Sequence, residues 1–300
     1  MAAYKGEIAA LMVSLFFSFS STFFALATRQ YGAMVVNRLR LVLAMVFLMA
    51  THIVVYGTLV PLGAGLDRWL WLGVSGIVGL VLGDIFLFYA YAHIGARMTM
   101  LMLSLAPVMA ALVAWLFLGE TLAWLEVLGI SITIGGIAWV VLERNGRANG
   151  VSGQNYGRGI LLGLGAAVGQ ALGLVLSKKG LVGGFPPISG NLIRMVTAAA
   201  TMWLLTFVQG QAKTTLQSLA SAPRSLSFIF GGMIFGPFLG VSLTLYAIQT
   251  TDVGIASTLT ALPPVFLLPI GYFVFKERFG FGAVIGTLLA IAGVALLFLS

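Results

Sequence analysis

The chain has 300 residues, of which 60% are hydrophobic and 8% are charged, and its formal net charge is +8. Because soluble globular proteins carry roughly 25% charged residues, this composition excludes a soluble enzyme. The lysines and arginines are scattered along the chain and form no patch, which argues against nucleic acid as a partner. With no cysteine and two histidines, the chain is poorly suited to hold a metal. We expect no cofactor and no bound metal.

Apolar runs of about 20 residues, the length that crosses a bilayer as an α-helix, recur along the whole chain. They are too long for barrel strands and show no polar alternation. The predicted spans are 8–28, 34–56, 71–93, 98–118, 122–142, 160–178, 188–208, 228–249, 254–275 and 281–299. We therefore expect an all-α integral membrane protein with ten transmembrane helices in a lipid bilayer.

The chain divides into two similar halves. A polar, glycine-rich linker is predicted over 143–159, between a first five-helix unit (1–142) and a second one (160–300). Shifting the sequence by 157 residues aligns 79–142 with 236–299 without a gap, and 15 of the 64 aligned positions are identical. This alignment predicts an internal repeat.

Each predicted half contains five spans, an odd number, so the second half enters the membrane upside down relative to the first. Inverted repeats of this kind are typical of secondary transporters, which bind their substrates near the midplane between the repeats. The sequence therefore predicts a carrier that works by alternating access.

Two short motifs also link the halves. Pro107 is followed by LFLGETL over 116–122, and Pro264 by FVFKERF over 273–279. With two five-helix units, these motifs make the chain resemble an EamA-type member of the drug/metabolite transporter superfamily, with some likeness to its aromatic amino-acid exporters. The resemblance implies a ten-helix carrier that exports amino acids or other small metabolites. Lys276 stands where the first copy has Gly119, a difference that we expect to affect the loop and not the transport chemistry.

Asp84 is predicted to lie at the centre of the third span. An ionised carboxylate there costs about 2.5–3.5 kcal/mol on insertion scales, so it must face a cavity, meet a partner or stay protonated. A proton site, a partner for a substrate ammonium group and a structural carboxyl are all open interpretations. The aligned residue in the second half is Val241, so the repeat itself does not require an acid.

Arg40 and Arg194 lie at equivalent places in the second and seventh spans, which the inverted topology puts on opposite sides of the membrane. A guanidinium can hold a carboxylate through two parallel hydrogen bonds. The alternative interpretation, which the sequence favours, is that each side chain snorkels to its membrane interface or holds carbonyl groups at a helix end. Asn37 and Asn191, three residues earlier, share the helix faces of these arginines and can either line a cavity or brace the first helix of their half.

Further polar and aromatic residues are candidates for a recognition surface. They are Ser14, Ser18 and Thr22 on the first span, Gln170 on the sixth, Tyr89, Tyr91, Tyr246 and Gln249 on the third and eighth, and Ser257 and Thr258 on the ninth. Such a surface would suit a neutral or zwitterionic solute with an apolar side chain. Hydrogen bonding between helices is the alternative for about half of them.

The remaining candidates are structural. Glu120 and Glu277 are expected to cap the fifth and tenth helices, and Pro107 and Pro264 are candidate hinges or kinks. Rows of small residues, such as Gly165, Gly169 and Gly173, predict close helix packing.

The function predicted from the sequence is secondary export of small organic metabolites across a bacterial inner membrane, chiefly neutral or aromatic amino acids. Export of nucleobases, sugars or drugs is the main alternative. An intramembrane enzyme or a scaffold is a remote one, because neither H-E-x-x-H nor G-x-S-x-G occurs in the chain. One chain holds both predicted repeats, so a monomer suffices.

Overall fold

A computed structural model of the chain describes residues 5–118, 123–145, 153–221, 226–250, 259–276 and 280–298, and within these ranges it contains helices and no strand. The helices are α1 (Lys5–Tyr31), α2 (Ala33–Tyr56), α3 (Leu66–Gly76), α4 (Asp84–Leu103), α5 (Ala106–Leu118), α6 (Trp124–Asn145), α7 (Gly153–Gly180), α8 (Pro187–Val208), α9 (Ala212–Ser221), α10 (Leu226–Met233), α11 (Val241–Thr250), α12 (Pro263–Phe275) and α13 (Phe281–Phe298). Two π-helical segments, π1 (Ile77–Gly83) and π2 (Ile234–Gly240), join α3 to α4 and α10 to α11.

Seven of the described helices are long and apolar enough to cross a membrane. They cover Lys5–Tyr31, Ala33–Tyr56, Leu66–Leu103, Trp124–Leu142, Asn155–Gly180, Pro187–Val208 and Leu226–Ala247, and α12 and α13 are shorter apolar helices. The protein is therefore an all-helical integral membrane protein. Its ten-span organisation stays a prediction.

The third and fourth predicted spans, 71–93 and 98–118, are separated at Gly95. Its φ of 75° and ψ of 173° are not helical, so the apolar stretch from Leu66 to Leu103 consists of two helices joined by a sharp kink. Only glycine adopts this backbone geometry without strain. The fourth span is interrupted at Ser104 and Leu105, and α5 follows.

Element boundaries in the two halves are separated by the same 157 residues as the aligned sequences. This offset relates the first and last residues of π1 to those of π2, and those of α5 to those of α12. It also relates the starts of α4 and α11, and the starts of α6 and α13. The second and third spans of each half are joined by short helices, a 3-10 turn at Leu62–Ala64 in the first half and α9 in the second.

Helices of one half pack mainly against helices of the other half. The first span of each half contacts the third of the other: α1 packs on α10, π2 and α11, while α7 packs on α3, π1 and α4. The second spans, α2 and α8, contact each other, and so do the fifth and tenth, α6 and α13. The buried core accordingly follows the boundary between the halves.

Glycines make the contact between α7 and the third span of the first half. A Cβ added to Gly169 would lie 2.5 Å from Cα of Gly83, and one added to Gly173 would lie 2.8 Å from Cα of Gly79. Both distances are shorter than any real contact between carbon atoms, so only glycine allows the two backbones to approach this closely. The predicted role of these rows in helix packing is confirmed.

The helices continue into both ends of the linker predicted over 143–159. Helix α6 ends at Asn145 and α7 begins at Gly153. Both helices extend into the predicted linker because polar residues beyond a membrane core can continue a helix into water. The middle of that linker lies outside the described residues.

Candidate functional site

Asp84 begins α4, directly after π1, and is 2% exposed. Its Oδ2 forms an ion pair with Nη2 of Arg40, and its Oδ1 accepts a hydrogen bond from Nε2 of Gln170 at 2.8 Å. Arg40 belongs to the first half and Gln170 to the second, so this carboxylate is held across the boundary between the halves. Of the arrangements that the sequence left open for Asp84, the structure shows the one in which the carboxylate has a partner.

Arg40 lies inside the protein. It is 4% exposed, its Nε donates to Oδ1 of Asn37 at 3.0 Å, and its Nη2 also donates to the Leu80 carbonyl at 3.3 Å. The ring centroids of Phe88 and Phe24 lie 5.1 and 6.0 Å from its guanidinium carbon. A carboxylate and two aromatic faces stabilise the charge of Arg40 inside the protein, which favours the carbonyl-binding interpretation, through Leu80, over snorkelling.

Arg194 is buried as well, at 4% exposure, which argues against snorkelling for this residue too. Its charge interacts with that of Asp84, and a Cβ added to Gly79 of π1 would lie 3.5 Å from its Nη2. The two arginines, expected on opposite sides of the membrane, instead share one buried cluster, because each extends toward π1. The Nε of Arg194 is buried and has no hydrogen-bond partner among the described residues.

We call Arg40, Asp84, Gln170 and Arg194 the buried charge cluster. Within the residues whose side chains the structure describes, Asp84 is the one buried carboxylate. The cluster therefore pairs two guanidinium groups with a single carboxylate. Helices α2, α4, α7 and α8 supply its four side chains, two from each half of the chain.

Asn37 and Asn191 are both fully buried but have different partners. Asn37 orients Arg40, whereas Nδ2 of Asn191 donates to the Pro237 carbonyl at 2.9 Å and to Oγ of Ser242 at 3.1 Å. Pro237 is separated by 157 residues from Leu80, the residue whose carbonyl accepts from Arg40. In each half, the second span thus binds the π-helical segment at the same position. A π-turn breaks the regular helical hydrogen-bond pattern, so a side-chain donor can satisfy a carbonyl there.

The polar stripe of α1 faces the broken ninth span. The Ser14 hydroxyl donates to the Leu259 carbonyl, and Ser18 Oγ lies 2.7 Å from the Ser14 carbonyl and 3.3 Å from that of Pro263. Thr22 donates to the Ser18 carbonyl at 2.8 Å within its own helix. Ser14 and Ser18 therefore make the contacts between helices that were the alternative to substrate binding, whereas the hydrogen bond of Thr22 stays within α1.

The tyrosine candidates differ in burial. Tyr91 is 2% exposed and contacts Phe88 edge-on, with ring centroids 5.6 Å apart. Its position next to Phe88 brings it close to Arg40. Tyr89 and Tyr246 are 39% and 37% exposed, so neither is enclosed. Ser257, Thr258 and the predicted caps Glu120 and Glu277 lie outside the described residues, as does the side chain of Gln249.

Pro107 and Pro264 occupy the second positions of α5 and α12. At the start of a helix, the missing N–H of proline costs nothing. Both prolines follow a break in the helix, at Ser104 and Leu105 in the first half and at Ala261 and Leu262 in the second. They therefore start the second segment of a broken span.

Two buried contacts between helices were not predicted. Arg38, 2% exposed, donates to Oγ1 of Thr215 at 2.8 Å and to Oε1 of Gln211. His52 is 2% exposed, with Nδ1 2.6 Å from the Thr58 carbonyl and Nε2 3.0 Å from Oγ of Ser189. A polar residue in an apolar run, such as Arg38 or His52, signals a buried contact. The sequence does not identify the partner, because Thr215 and Ser189 each lie more than 130 residues away.

Comparison with known proteins places the chain in a family. The model of the EamA-like transporter family matches residues 4–142 and 157–299. A probable terminal-alkyne amino-acid exporter of Streptantibioticus cattleyicolor is 25% identical over 229 residues, which cover 75% of this chain and 72% of that protein. A solved protein crystal structure shares the fold over 97% of this chain and 96% of that chain, with a TM-score of 0.60 and 21% identity. The chain belongs to the EamA-like transporter family, and it is a transporter rather than an enzyme.

Proposed function

We propose that this protein is a secondary transporter that exports small organic metabolites, chiefly neutral or aromatic amino acids, across a bacterial inner membrane. The buried charge cluster is the observation that carries the proposal. It offers a carboxylate and a cationic group at the boundary between the halves, where the charged ends of an amino acid need partners. The naming of the S. cattleyicolor relative as an amino-acid exporter supports this substrate class.

The proposed architecture is ten transmembrane helices in two inverted repeats of five. Three observations support it: the 157-residue offset between element boundaries, the reciprocal packing of first and third spans, and the two segments matched by the family model. Since each repeat has an odd number of spans, its two copies have opposite orientations in the membrane.

The proposed mechanism is alternating access, in which the two repeats rock against each other. Arg40 and Asp84 move with the first repeat, and Gln170 and Arg194 with the second. Rocking would then move the two pairs relative to each other and expose the cluster first to one side of the membrane and then to the other. The gradient of the solute, or protons carried through Asp84, would supply the energy. One chain contains both repeats, so a monomer suffices.

Counterflow in proteoliposomes tests the proposal. Liposomes loaded with an unlabelled amino acid are expected to accumulate the labelled one transiently, and liposomes without protein are the control. Accumulation that saturates and that phenylalanine competes away would support an amino-acid carrier. Diffusive flux without counterflow would contradict a carrier and indicate a channel.

A pH gradient in the same assay tests proton coupling. If Asp84 carries the proton, Asp84→Asn should alter the pH dependence of transport, and identical profiles from pH 5 to 8 would contradict this role. If no amino acid shows counterflow while nucleobases, sugars or drugs do, the carrier proposal stands and the substrate class changes.

A further inference from the structure

The two buried arginines of the charge cluster differ in how far their hydrogen-bonding groups are satisfied. Arg40 donates from Nε to Asn37 and from Nη2 to Asp84 and to the Leu80 carbonyl. Arg194 is equally buried, but its Nε has no hydrogen-bond partner among the described residues. An unsatisfied donor on a charged group is costly inside a protein. Arg40 Nε has Asn37 as its acceptor. In contrast, Arg194 Nε and Oδ1 of the corresponding Asn191 are both buried and unpaired within the part of the chain that the structure describes, so this nitrogen is open to an acceptor from a ligand.

The charges lead to the same expectation. Asp84 already accepts one hydrogen bond at each oxygen, from Arg40 and from Gln170. The guanidinium of Arg194 interacts with this carboxylate only at longer range, since no hydrogen bond joins them in the described structure. One positive charge of the cluster therefore has no direct counter-ion of its own.

The guanidinium of Arg194 borders backbone atoms on one side. Its Nη2 is next to Gly79, and Gly79 packs closely against Gly173 of α7. In this structure the two glycine backbones fill the space beside the guanidinium. The residues on either side of this contact come from different halves of the chain, so a movement between the halves would widen it.

We propose that Arg194 is the carboxylate-binding residue of the transport site, and that Arg40 is not. Arg194 would donate two parallel hydrogen bonds, from Nε and from one terminal nitrogen, to the carboxylate of the solute. Arg40 would be a positioning residue that holds Asp84. This inference rests on the proposed function and deepens it, since it requires a substrate with a free carboxylate.

The test compares phenylalanine with phenylalanine amide as competitors of labelled phenylalanine in counterflow. The amide has the same ring and amino group but lacks the negative charge. In the wild-type protein the acid is expected to compete at least about tenfold better than the amide, because a site that pairs with a carboxylate discriminates strongly against a neutral analogue. Equal competition by the two compounds would overturn the inference while leaving the amino-acid carrier intact.

Two substitutions test whether Arg194 causes the preference for the acid over the amide. Arg194→Gln should abolish the preference for the acid. Arg194→Lys keeps the charge but loses the planar fork, so it should raise KM and keep part of the preference. The matched control is Arg68→Gln, which removes an arginine whose described contacts are the Val182 carbonyl and the Phe185 ring, and it should leave the preference unchanged. An unchanged preference in both Arg194 variants would overturn the inference.

A binding experiment decides the case in which no amino acid is transported and the proposed function fails. The thermal unfolding of the purified wild-type protein and of Arg194→Lys is followed with benzoate and with benzamide. Stabilisation by benzoate alone, weakened in Arg194→Lys, would support the carboxylate site. Equal shifts with both compounds, or none with either, would overturn it. If Arg194→Gln does not fold, Arg194→Lys and the amide comparison remain decisive.

Discussion

Arg40 on α2 and Asp84 at the start of α4 form an ion pair inside the transmembrane region, where each residue is less than 5% exposed. The two residues are 44 positions apart in sequence, and Gln170 of the other half completes the coordination of the carboxylate. A pair of this kind neutralises two charges that would each be expensive to bury alone. It thereby fixes α2 and α4 to each other, and through Gln170 it connects them to α7.

Removing one partner of this pair should lower the free energy of unfolding more than removing both. Asp84→Asn leaves the Arg40 guanidinium without its carboxylate, and we expect a loss of about 3–5 kcal/mol in the free energy of unfolding. The double variant Arg40→Gln/Asp84→Asn removes both charges, so it should be more stable than Asp84→Asn alone. Unfolding by denaturing detergent, measured for the wild type, the two single variants and the double variant, gives the coupling energy. Additive losses in the double variant would contradict the pairing.

The glycine contact between α7 and π1 gives a second prediction. Gly169→Ala would place a methyl group 2.5 Å from Cα of Gly83 and 3.1 Å from its nitrogen. Because backbone atoms cannot move aside as a side chain can, the two helices must separate, and we expect a loss of about 1–3 kcal/mol. Thermal unfolding in mild detergent measures this loss.

Gly135 on α6 is the matched control, because a Cβ there would meet nothing within 4 Å. Gly135→Ala should leave the unfolding temperature unchanged or raise it slightly, since alanine favours a helix more than glycine does. Similar unfolding temperatures for Gly169→Ala and Gly135→Ala would show that the α7 contact is less tight than described.

Some of this site could be predicted from the sequence. An acid in the middle of an apolar run signals a buried carboxylate because of its high cost in lipid, and that identified Asp84. Its partner could not be identified, since Arg40 lies on another helix and the sequence does not specify which helices face each other. Arg40 and Arg194 were interpreted as interfacial for the same reason. Distance along a helix indicates depth in the membrane, but a buried carboxylate changes the preferred position of a cation.

The helix packing, too, could be predicted only in part from the sequence. Glycine spacing predicts that a helix has a smooth face, but not that Gly79 faces Gly173 and Gly83 faces Gly169. The gapless alignment did predict a shared register, and the π-helical segments and helix starts repeat with its offset of 157. π1 has no local sequence signal, because its residues are ordinary apolar and glycine residues of a membrane span, whereas π2 contains Pro237, whose missing N–H indicates an interrupted helix.

Lys276 provides a test at the end of α12. It is in the left-handed conformation, with φ 53° and ψ 32°, and it is the one described non-glycine residue with positive φ. A residue with a Cβ pays roughly 1–2 kcal/mol for this geometry, and glycine is the usual residue at such a helix end. The aligned residue of the first half is Gly119.

Lys276→Gly should therefore stabilise the protein by about 1 kcal/mol, even though it removes a charge and adds flexibility to the unfolded chain. Lys276→Ala is the control, because it removes the same charge but keeps the Cβ, and it should bring no such gain. Equal effects of the two variants on thermal unfolding would assign the change to the charge instead of the backbone. Transport should be retained in both.

The contact between Arg38 and α9 predicts how the connection after α8 is held. Arg38 on α2 donates to Thr215 at 2.8 Å and to Gln211, which directly precedes α9. Arg38→Gln shortens the side chain and removes both hydrogen bonds, so α9 should become more mobile. Since the chain contains no cysteine, Lys213→Cys provides a single site on α9 for a spin label, and Lys213 is exposed. The spectrum of this label in liposomes should show faster motion with Arg38→Gln than with native Arg38.

The control for this experiment is Arg68→Gln, which removes an arginine whose described contacts, Val182 and Phe185, belong to the connection before α8. Its label spectrum should match that of the parent protein. The same spectrum in Arg38→Gln would mean that the packing of α9 against α8 holds the helix without Arg38. Faster motion in Arg38→Gln alone would show that a residue of the first half fixes a connecting helix of the second. In that case the two halves would be coupled outside the buried charge cluster as well as within it, and any rocking of one half against the other would have to release both contacts.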